Sequence, residues 1–407
     1  MTPTEPDARA RTVTDGLVVA MDEGARRSGL SYWYRSRPWV GAVVDAARSI
    51  TDAQVRDAVE RLLAAPADPA PYWQLRALLA DRAEDPVLAD LFAVAWTAEC
   101  NSRIGYHLGA AYRPDEPEIT ATDLQTTVPG EQLPERGSAP PVLIVVPFRD
   151  RTTGGRRARN LLACLRALRD QDYPRERYQV TVVETDVEPT WREVILPYCD
   201  RYVFAPRKGS FNKSWTVNVG VVQTGDGAEL VSVLDADVLC DRQFLSRNVA
   251  RFQEPGTGGH LTYRDMFCLD PAASSYSIRA RLLEGQPEVS KERLRGFLLR
   301  RPPGACVWAR TELYLRIGGM DERYEGWGGE DNDFAYRFEL EAPLDVHRDD
   351  LLHMSHPPSS IMVDGRGIND HIPPLSWPAD AAIGRLRPVE RPSVSRPAVS
   401  VVTGQGR

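Results

Sequence analysis

From residue 141 onward short apolar runs alternate with amphipathic stretches, and this rhythm constrains the fold more than any other feature of the chain. Pro141-Val142-Leu143-Ile144-Val145-Val146-Pro147 is a continuous apolar run, the pattern of a strand buried on both faces of a parallel sheet. Residues 156–169 follow as a helix with Leu161, Leu162, Leu165 and Leu168 on one side. Tyr178–Glu184 and Arg201–Ala205 read as strands, 212–223 as a helix and Glu229–Leu234 as another buried strand. This β-α-β-α-β order predicts an α/β chain with a Rossmann-like, mainly parallel sheet flanked by helices. Ligands bind such sheets at the carboxyl ends of the strands, so the chemistry is expected just after Val146, Val183 and Leu234.

The sequence upstream has a different character. Residues 1–15 are polar and are expected to be disordered. Residues 16–111 read as a helical N-terminal region. Thr51 and Gln54 fit a capping box with Ile50 stapled to Val55. Val55, Val59, Leu62 and Leu63 then form one apolar face. Asp85-Pro86 starts a further helix, with Asp85 as cap. Residues 112–140 carry Pro114, Pro117, Pro129, Pro134 and Pro140 and read as an extended connector. Residues 141–384 would then form the main domain, and the Pro-, Ser- and Arg-rich tail 385–407 is expected to be disordered. The proline-rich connector suggests that the helical region docks as a unit of its own.

With 407 residues, 42% hydrophobic and 26% charged, the chain can bury a sizeable core. Lys+Arg 50 against Asp+Glu 57 leaves a formal net charge of −7, which argues against a nucleic-acid binder. No apolar run approaches the roughly 20 residues that span a bilayer. The N-terminus is acidic and lacks the apolar segment of a secretory signal. The six cysteines lie far apart with no CxxC pair, as for reduced, mostly buried thiols in a cytoplasmic protein. Ala- and Arg-rich stretches suggest a bacterial genome of high GC content.

Four segments carry the chemistry. The first strand runs into Pro147-Phe148-Arg149-Asp150-Arg151, whose guanidinium groups suit an anionic ligand. The strand at 229–234 is followed by Asp235-Ala236-Asp237; if the strand persists, both carboxylates face one side and form a hard oxygen site for Mn²⁺ or Mg²⁺. Gly326-Trp327-Gly328-Gly329-Glu330-Asp331-Asn332-Asp333 combines a turning backbone, an aromatic platform for a sugar ring and three carboxylates. His353 and His356, two of only six histidines, can complete a metal site.

In this order the segments resemble metal-dependent glycosyltransferases of the GT-A fold, and most of all β-1,4-galactosyltransferases and bacterial chondroitin-polymerase-like domains. Gly326–Asp333 resembles the galactosyltransferase C-terminal motif, Val146–Arg151 the first-strand motif, and Phe211-Asn212-Lys213 with Asn218-Val219-Gly220 the segment near the nucleotide. The resemblance covers residues 141–360. It implies that Pro147, Phe148, Arg149, Arg151, Phe211 and Lys213 line a uridine-diphosphate pocket and that Asp235 approaches the ribose or the metal shell. It implies Asp237 with His353 or His356 as Mn²⁺ ligands. Trp327, Gly328, Gly329 and Asp333 would contact sugar or acceptor, Glu330 the donor sugar, and Asp331 would deprotonate the acceptor hydroxyl. The implied activity is inverting transfer of a hexose or N-acetylhexosamine from a UDP-sugar to a carbohydrate or glycosylated small-molecule acceptor. The Arg301-Pro302-Pro303-Gly304 segment differs from relatives where donor sugars are told apart, so galactose is not implied as donor. Polypeptide N-acetylgalactosaminyltransferases, which retain configuration, share the Trp-Gly-Gly-Glu core but lack the Glu-Asp pair present here. A metal-dependent nucleotidyltransferase or phosphohydrolase, and a non-catalytic sugar-nucleotide-binding subunit, are the competing readings. Self-association through the N-terminal helices is left open.

Overall fold

The computed structural model describes residues 3–125, 140–151, 154–326, 328–357, 362–363 and 366–386. Its main strands, in chain order, are β1 (Ile104–Leu108), β2 (Val142–Phe148), β3 (Tyr178–Glu184), β4 (Arg201–Phe204), β5 (Leu230–Leu234), β6 (Val238–Leu239), β7 (Gly259–Leu261), β8 (Asp265–Leu269), β9 (Arg295–Arg300), β10 (Cys306–Arg310), β11 (Leu344–Val346) and β12 (Leu351–His353). Seven of them form one sheet in the order β11-β7-β10-β5-β2-β3-β4. The four strands that the alternation picks out, β5, β2, β3 and β4, are mutually parallel. β10 runs antiparallel to both β5 and β7, so the sheet is mixed.

Side-chain alternation along β2 explains why helices cover both faces. Val142, Ile144, Val146 and Phe148 pack with Leu161, Leu162, Leu165 and Leu168 of the Arg156–Arg169 helix. Leu143 and Val145 point the other way, into a core with Trp215, Val217 and Val219 of the Lys213–Thr224 helix. That second helix lies close to the sheet: a Cβ on Gly220 would sit 2.5 Å from a Val145 methyl. Glycine is required there to let the two backbones approach.

A second sheet has the order β1-β9-β8-β12-β6. It decides the position of the histidines. β12 pairs antiparallel with β6 in a register that sets His353 opposite Val238, and the Met354 amide donates to the Asp237 carbonyl at 2.8 Å. Its outer strand, β1, comes from the N-terminal region and pairs antiparallel with β9 from Ile104↔Leu299 to Leu108↔Arg295.

The N-terminal half departs from expectation in several places. Of residues 1–15, expected to be disordered, 6–15 are helical instead: Pro6–Met21 is a helix whose Ala10, Val13 and Leu17 are fully buried. Its first turn is polar and outward, and its apolar face is covered by the Leu30–Arg48, Pro69–Asp81 and Ala89–Asn101 helices, so local patterning hides it. Asp52, not Thr51, caps the Ala53–Ala64 helix, accepting from the Val55 amide at 2.9 Å. Asp85 caps as expected, ahead of Pro86. Residues 126–139 of the expected connector and 387–407 of the expected tail lie outside the described residues. The described part of the connector includes a short helix, Ala121–Gln125, with Leu124 buried. All six cysteines are free, and only Cys100 is exposed. Among the described residues no helix is long and apolar enough to cross a membrane.

One continuous apolar core runs from Ala10 through Tyr106 and Val146 to Met354. The helical region therefore shares its core with the rest of the chain instead of docking as a separate unit. Arg295 of β9 reinforces the junction through Asp22 and, at 3.0 Å, Asp270. Deleting residues 1–139 would strip β1 from β9 and uncover this core. Each large apolar side chain left exposed forfeits roughly 1.5–3 kcal/mol, against a total stability of only about 5–15 kcal/mol. The shortened chain is expected to be insoluble or unfolded, with no cooperative melting transition; a soluble, cooperatively melting product would show that the core of residues 141–384 is self-sufficient.

Candidate active site

The carboxyl ends of β2 and β5 open onto a cavity of about 340 Å³. Pro147, Phe148, Arg149 and Arg151 line it from the end of β2, and Phe211 and Lys213 from the start of the Lys213–Thr224 helix. Arg149 donates to the Gly209 carbonyl at 2.8 Å, and Arg151 is paired with Asp186. The Asn212 carboxamide caps the helix by accepting from the Trp215 amide at 2.7 Å. Asn218 has a structural part: it donates to the Met320 carbonyl at 2.8 Å and accepts from the Met320 amide at 3.0 Å, fastening the helix to the Gly318-Gly319 turn.

Asp235 and Asp237 do not face one side. β5 ends at Leu234 and the chain turns, with the Val238 amide donating to the Asp235 carbonyl at 3.2 Å. The turn separates the two carboxylates. Asp235 meets the Lys213 ammonium at 2.8 Å. Asp237 faces His353 Nε2 at 3.2 Å and His356 Nε2 at 2.9 Å. One donor atom from each of Asp237, His353 and His356 lies within 4.8 Å of the others. The hard oxygen pair expected from the sequence is thus replaced by one carboxylate and two imidazoles. Burial raises the Asp237 carboxyl, but the two imidazoles overcome it and hold the group well below its ordinary range. Burial opposes a charge on His353, and Asp237 outweighs it, so that ring is raised above its ordinary value.

Two further residues frame this cluster. Arg157 lies 3.9 Å from Asp237. Asn160 donates to the Met354 and Ser355 carbonyls at 3.3 and 3.2 Å, holding the backbone between the histidines. Asn160 is a fully buried amide within an apolar helix face. Such an unexplained polar residue among leucines is the signal that could have marked it.

Lys213 is the hub on the other side. Besides Asp235 it contacts both oxygens of Asp331, at 3.1 and 3.2 Å. Burial disfavours its charge, yet Asp235, Asp331 and Glu330 together hold the ammonium above its ordinary value. Asp331 and Glu330 begin the Glu330–Glu339 helix. Burial, and then the neighbouring Asp331, push Glu330 up to about 7, and its carboxylate accepts from the Gly328 amide at 2.9 Å. Asp333 is corrected: it is not at the cleft but buried, accepting from Arg337 at 2.7 Å and from the Leu375 amide at 3.0 Å. Two residues beyond Asp331 on the helix, it faces away from that carboxylate, and Arg337 neutralises it in the core. Trp327 lies outside the described residues.

A second, larger cavity of about 1060 Å³ adjoins the first, and Gly328, Gly329, Glu330 and Asp331 line it. Asp235, Glu330, Asp331 and both histidines border both cavities. The loop after β9 closes in on Asp331 at Gly304, where a Cβ would stand 2.3 Å from the Asp331 Oδ2. Tyr263 holds this loop by donating to the Pro302 carbonyl at 3.2 Å and to Gly304.

Two family models match the chain across these segments. The glycosyl transferase family 2 model covers residues 143–317, and the model for the N-terminal domain of galactosyltransferase covers residues 303–356. Residues 143–356 therefore carry a glycosyltransferase domain of the GT-A fold that resembles the galactosyltransferases. No curated protein matches the glycosyltransferase. Solved structures similar to it include a mannosyltransferase from Pyrobaculum calidifontis in complex with GDP-Man and Mn²⁺, at 18% identity over 58% of this chain and 62% of that one, TM-score 0.35. Residues 1–349 of S. aureus TarS in complex with UDP match at 18% identity over 53% and 60%, TM-score 0.38. The catalytic domain of Drosophila beta1,4galactosyltransferase 7 with xylobiose matches at 20% identity over 51% and 63%, TM-score 0.30. The chain spans about three fifths of the length of each of these structures. TM-scores this low carry no argument about its substrates.

Proposed function

We propose that this glycosyltransferase is an inverting, Mn²⁺-dependent enzyme that moves a hexose or N-acetylhexosamine from a UDP-sugar to a hydroxyl of a carbohydrate or glycosylated small molecule. The observation that carries the reading is the position of Asp331, a carboxylate at the junction of two adjoining cavities, with the Asp237-His353-His356 cluster bordering both. The smaller cavity has the arginines and the phenylalanine that suit a nucleoside diphosphate. The larger has room for an acceptor.

Asp237, His353 and His356 fit a divalent cation, because a carboxylate oxygen and two imidazole nitrogens already converge on one point. Two nitrogens favour Mn²⁺ over Mg²⁺, which prefers oxygen donors throughout. Bound there, the ion would neutralise charge on the departing diphosphate. The remaining work falls to side chains. Arg149 and Arg151 offer donors to the nucleotide. Lys213 orients the Asp331 carboxylate through both of its oxygens. Asp331 takes the proton of the acceptor hydroxyl as that oxygen bonds to the anomeric carbon. The bond from that carbon to the diphosphate breaks on the opposite face, and UDP leaves with its electron pair. A single displacement of this kind inverts the anomeric centre. Glu330, with its carboxyl raised to about 7, can carry a proton near neutrality and donate a hydrogen bond to a sugar hydroxyl.

A panel of UDP-sugars and simple acceptors, assayed for UDP release with Mn²⁺ and with EDTA, tests the proposal. UDP and a glycoside of inverted configuration are expected, with activity lost in EDTA and restored best by Mn²⁺. Full turnover in EDTA would remove the metal from the mechanism. Release of nucleoside monophosphate or inorganic phosphate would replace the transferase reading with nucleotidyl transfer or phosphate hydrolysis.

A further inference from the structure

The larger cavity is walled partly by the N-terminal helical region, which the sequence leaves without a role. Tyr32 and Arg35 reach it from the Leu30–Arg48 helix, and Arg103 from the residue before β1. Arg264 and Arg301 come from the turn before β8 and the end of β9, and Arg348 from the approach to β12.

These arginines are arranged unlike the others that border the core. Arg247 and Arg251 close on Asp349 at 2.7 Å, and Arg295 has two carboxylates. Among the described residues, no carboxylate pairs with Arg35, Arg264, Arg301 or Arg348. The Arg103 guanidinium donates to the carbonyls of Arg300 and Arg301, at 3.1 and 3.2 Å, and lies 5.3 Å over the ring of Tyr32. The Arg301 amide donates to the Arg264 carbonyl at 2.8 Å. Backbone bonds therefore tie Arg103, Arg264 and Arg301 to one spot. Arg301 is also held at a φ of 56°, a conformation that costs a side-chain-bearing residue energy and that persists where surrounding contacts impose it. Arg35, Arg301 and Arg348 are exposed while Arg103 and Arg264 are half-buried, and positive charges gathered along one cavity wall attract an anion. Of the five acidic residues that line the cavity, Asp235 and Asp331 are engaged by Lys213, Glu330 is raised to about 7, Asp370 accepts from the Gly367 amide at 2.9 Å, and Glu339 pairs with none of these arginines.

The spot is next to the reacting carboxylate. The Tyr32 hydroxyl is raised by burial, lowered by Arg103, raised by Asp331 and lowered by Arg35, so it feels the base and the arginines together. Gly304, against Asp331, is only three residues from Arg301.

We infer that the acceptor of this glycosyltransferase is anionic. A carboxylate or phosphate group on the acceptor is received by Arg264 and Arg301, with Arg103 and Tyr32 behind them and Arg35 and Arg348 at the rim, while a hydroxyl of the same molecule is presented to Asp331. The planar guanidinium fork matches both kinds of anion. The N-terminal region is then part of the acceptor site. This rests on the proposed function, which assigns the larger cavity to the acceptor.

Full-length protein loaded with Mn²⁺ and UDP tests the inference, because UDP occupies the other anion site. Binding of three matched probes is compared by titration calorimetry: methyl β-D-glucoside, methyl β-D-glucuronide and methyl β-D-glucoside 6-phosphate. The charged probes are expected to bind at least about 10-fold more tightly than the neutral one, as charge-assisted pairs allow. Preference for one charged probe over the other identifies the group as carboxylate or phosphate. Arg264→Gln and Arg301→Gln should each reduce the preference by about 10-fold without changing Mn²⁺-UDP affinity, which reports that the fold is intact. Equal affinity for the three probes, or a preference that survives both substitutions, overturns the inference. Failure of Mn²⁺-UDP to bind in the first place overturns the proposed function instead.

Discussion

Asp331→Asn is expected to slow transfer by about 10²–10⁴-fold, the usual contribution of a positioned general base, or roughly 3–5 kcal/mol in the barrier. An amide cannot take the hydroxyl proton, but its carbonyl can still accept from the Lys213 ammonium that now contacts both Asp331 oxygens. The side chain keeps its size beside Gly304, where space is tight. Mn²⁺-UDP affinity should therefore stay nearly constant while turnover collapses, and the two measurements together separate a chemical role from a folding defect. Near-normal turnover would shift the base to Glu330, the other carboxylate of the pair at the cleft. An α-linked product from an α-linked UDP-hexose would move the enzyme to the retaining class.

Asp237→Asn should weaken Mn²⁺-UDP binding by more than the 10–100-fold typical of groups that merely support a ligand. Asp237 stands between His353 and His356, and its removal leaves two imidazoles with no anion between them. Direct titration of Mn²⁺ in the presence of UDP measures the effect; unchanged affinity would strike Asp237 from the ligand set. The same site predicts a pH dependence. His353 is raised by Asp237, so in the metal-free protein the ring holds its proton to a higher pH than a free imidazole. Its pairing with Asp237 stabilises the metal-free fold at low pH and is lost as pH rises through the raised value. Metal ligation needs the neutral ring, so the cation competes with that proton. Mn²⁺ affinity should climb between about pH 6 and about pH 8, the range in which imidazoles titrate. The apparent dissociation constant over that range, measured in wild type and in His353→Gln, checks this; a flat wild-type profile speaks against His353 as a ligand.

β2, β3 and β5 were legible because they are buried on both faces. A run such as Val142–Val146 has few alternatives once two helices must cover it, and the ends of β2, β3 and β5 then follow from composition alone. The segments that bear the chemistry were legible too, because glycine, tryptophan, paired carboxylates and histidines rarely crowd into so few positions. Local sequence pointed to most of the residues that line the cavities, but it missed Arg157 and Asn160 and put Asp333 there wrongly. Only the tertiary structure decided how they divide the work. Asp235 and Asp237 are two residues apart, yet the turn after β5 gives one to Lys213 and the other to the histidines. Asp333 sits on the same helix as Asp331 but is taken by Arg337. The apolar face of the Pro6–Met21 helix is defined by the Leu30–Arg48, Pro69–Asp81 and Ala89–Asn101 helices that lie against it. The pairing of β1 with β9 joins residues almost two hundred positions apart, and no local pattern encodes such a contact. It brings Arg103 to the cavity beside Asp331, because strand pairing and a shared core depend on complementary surfaces from distant segments, which periodicity within one segment does not specify.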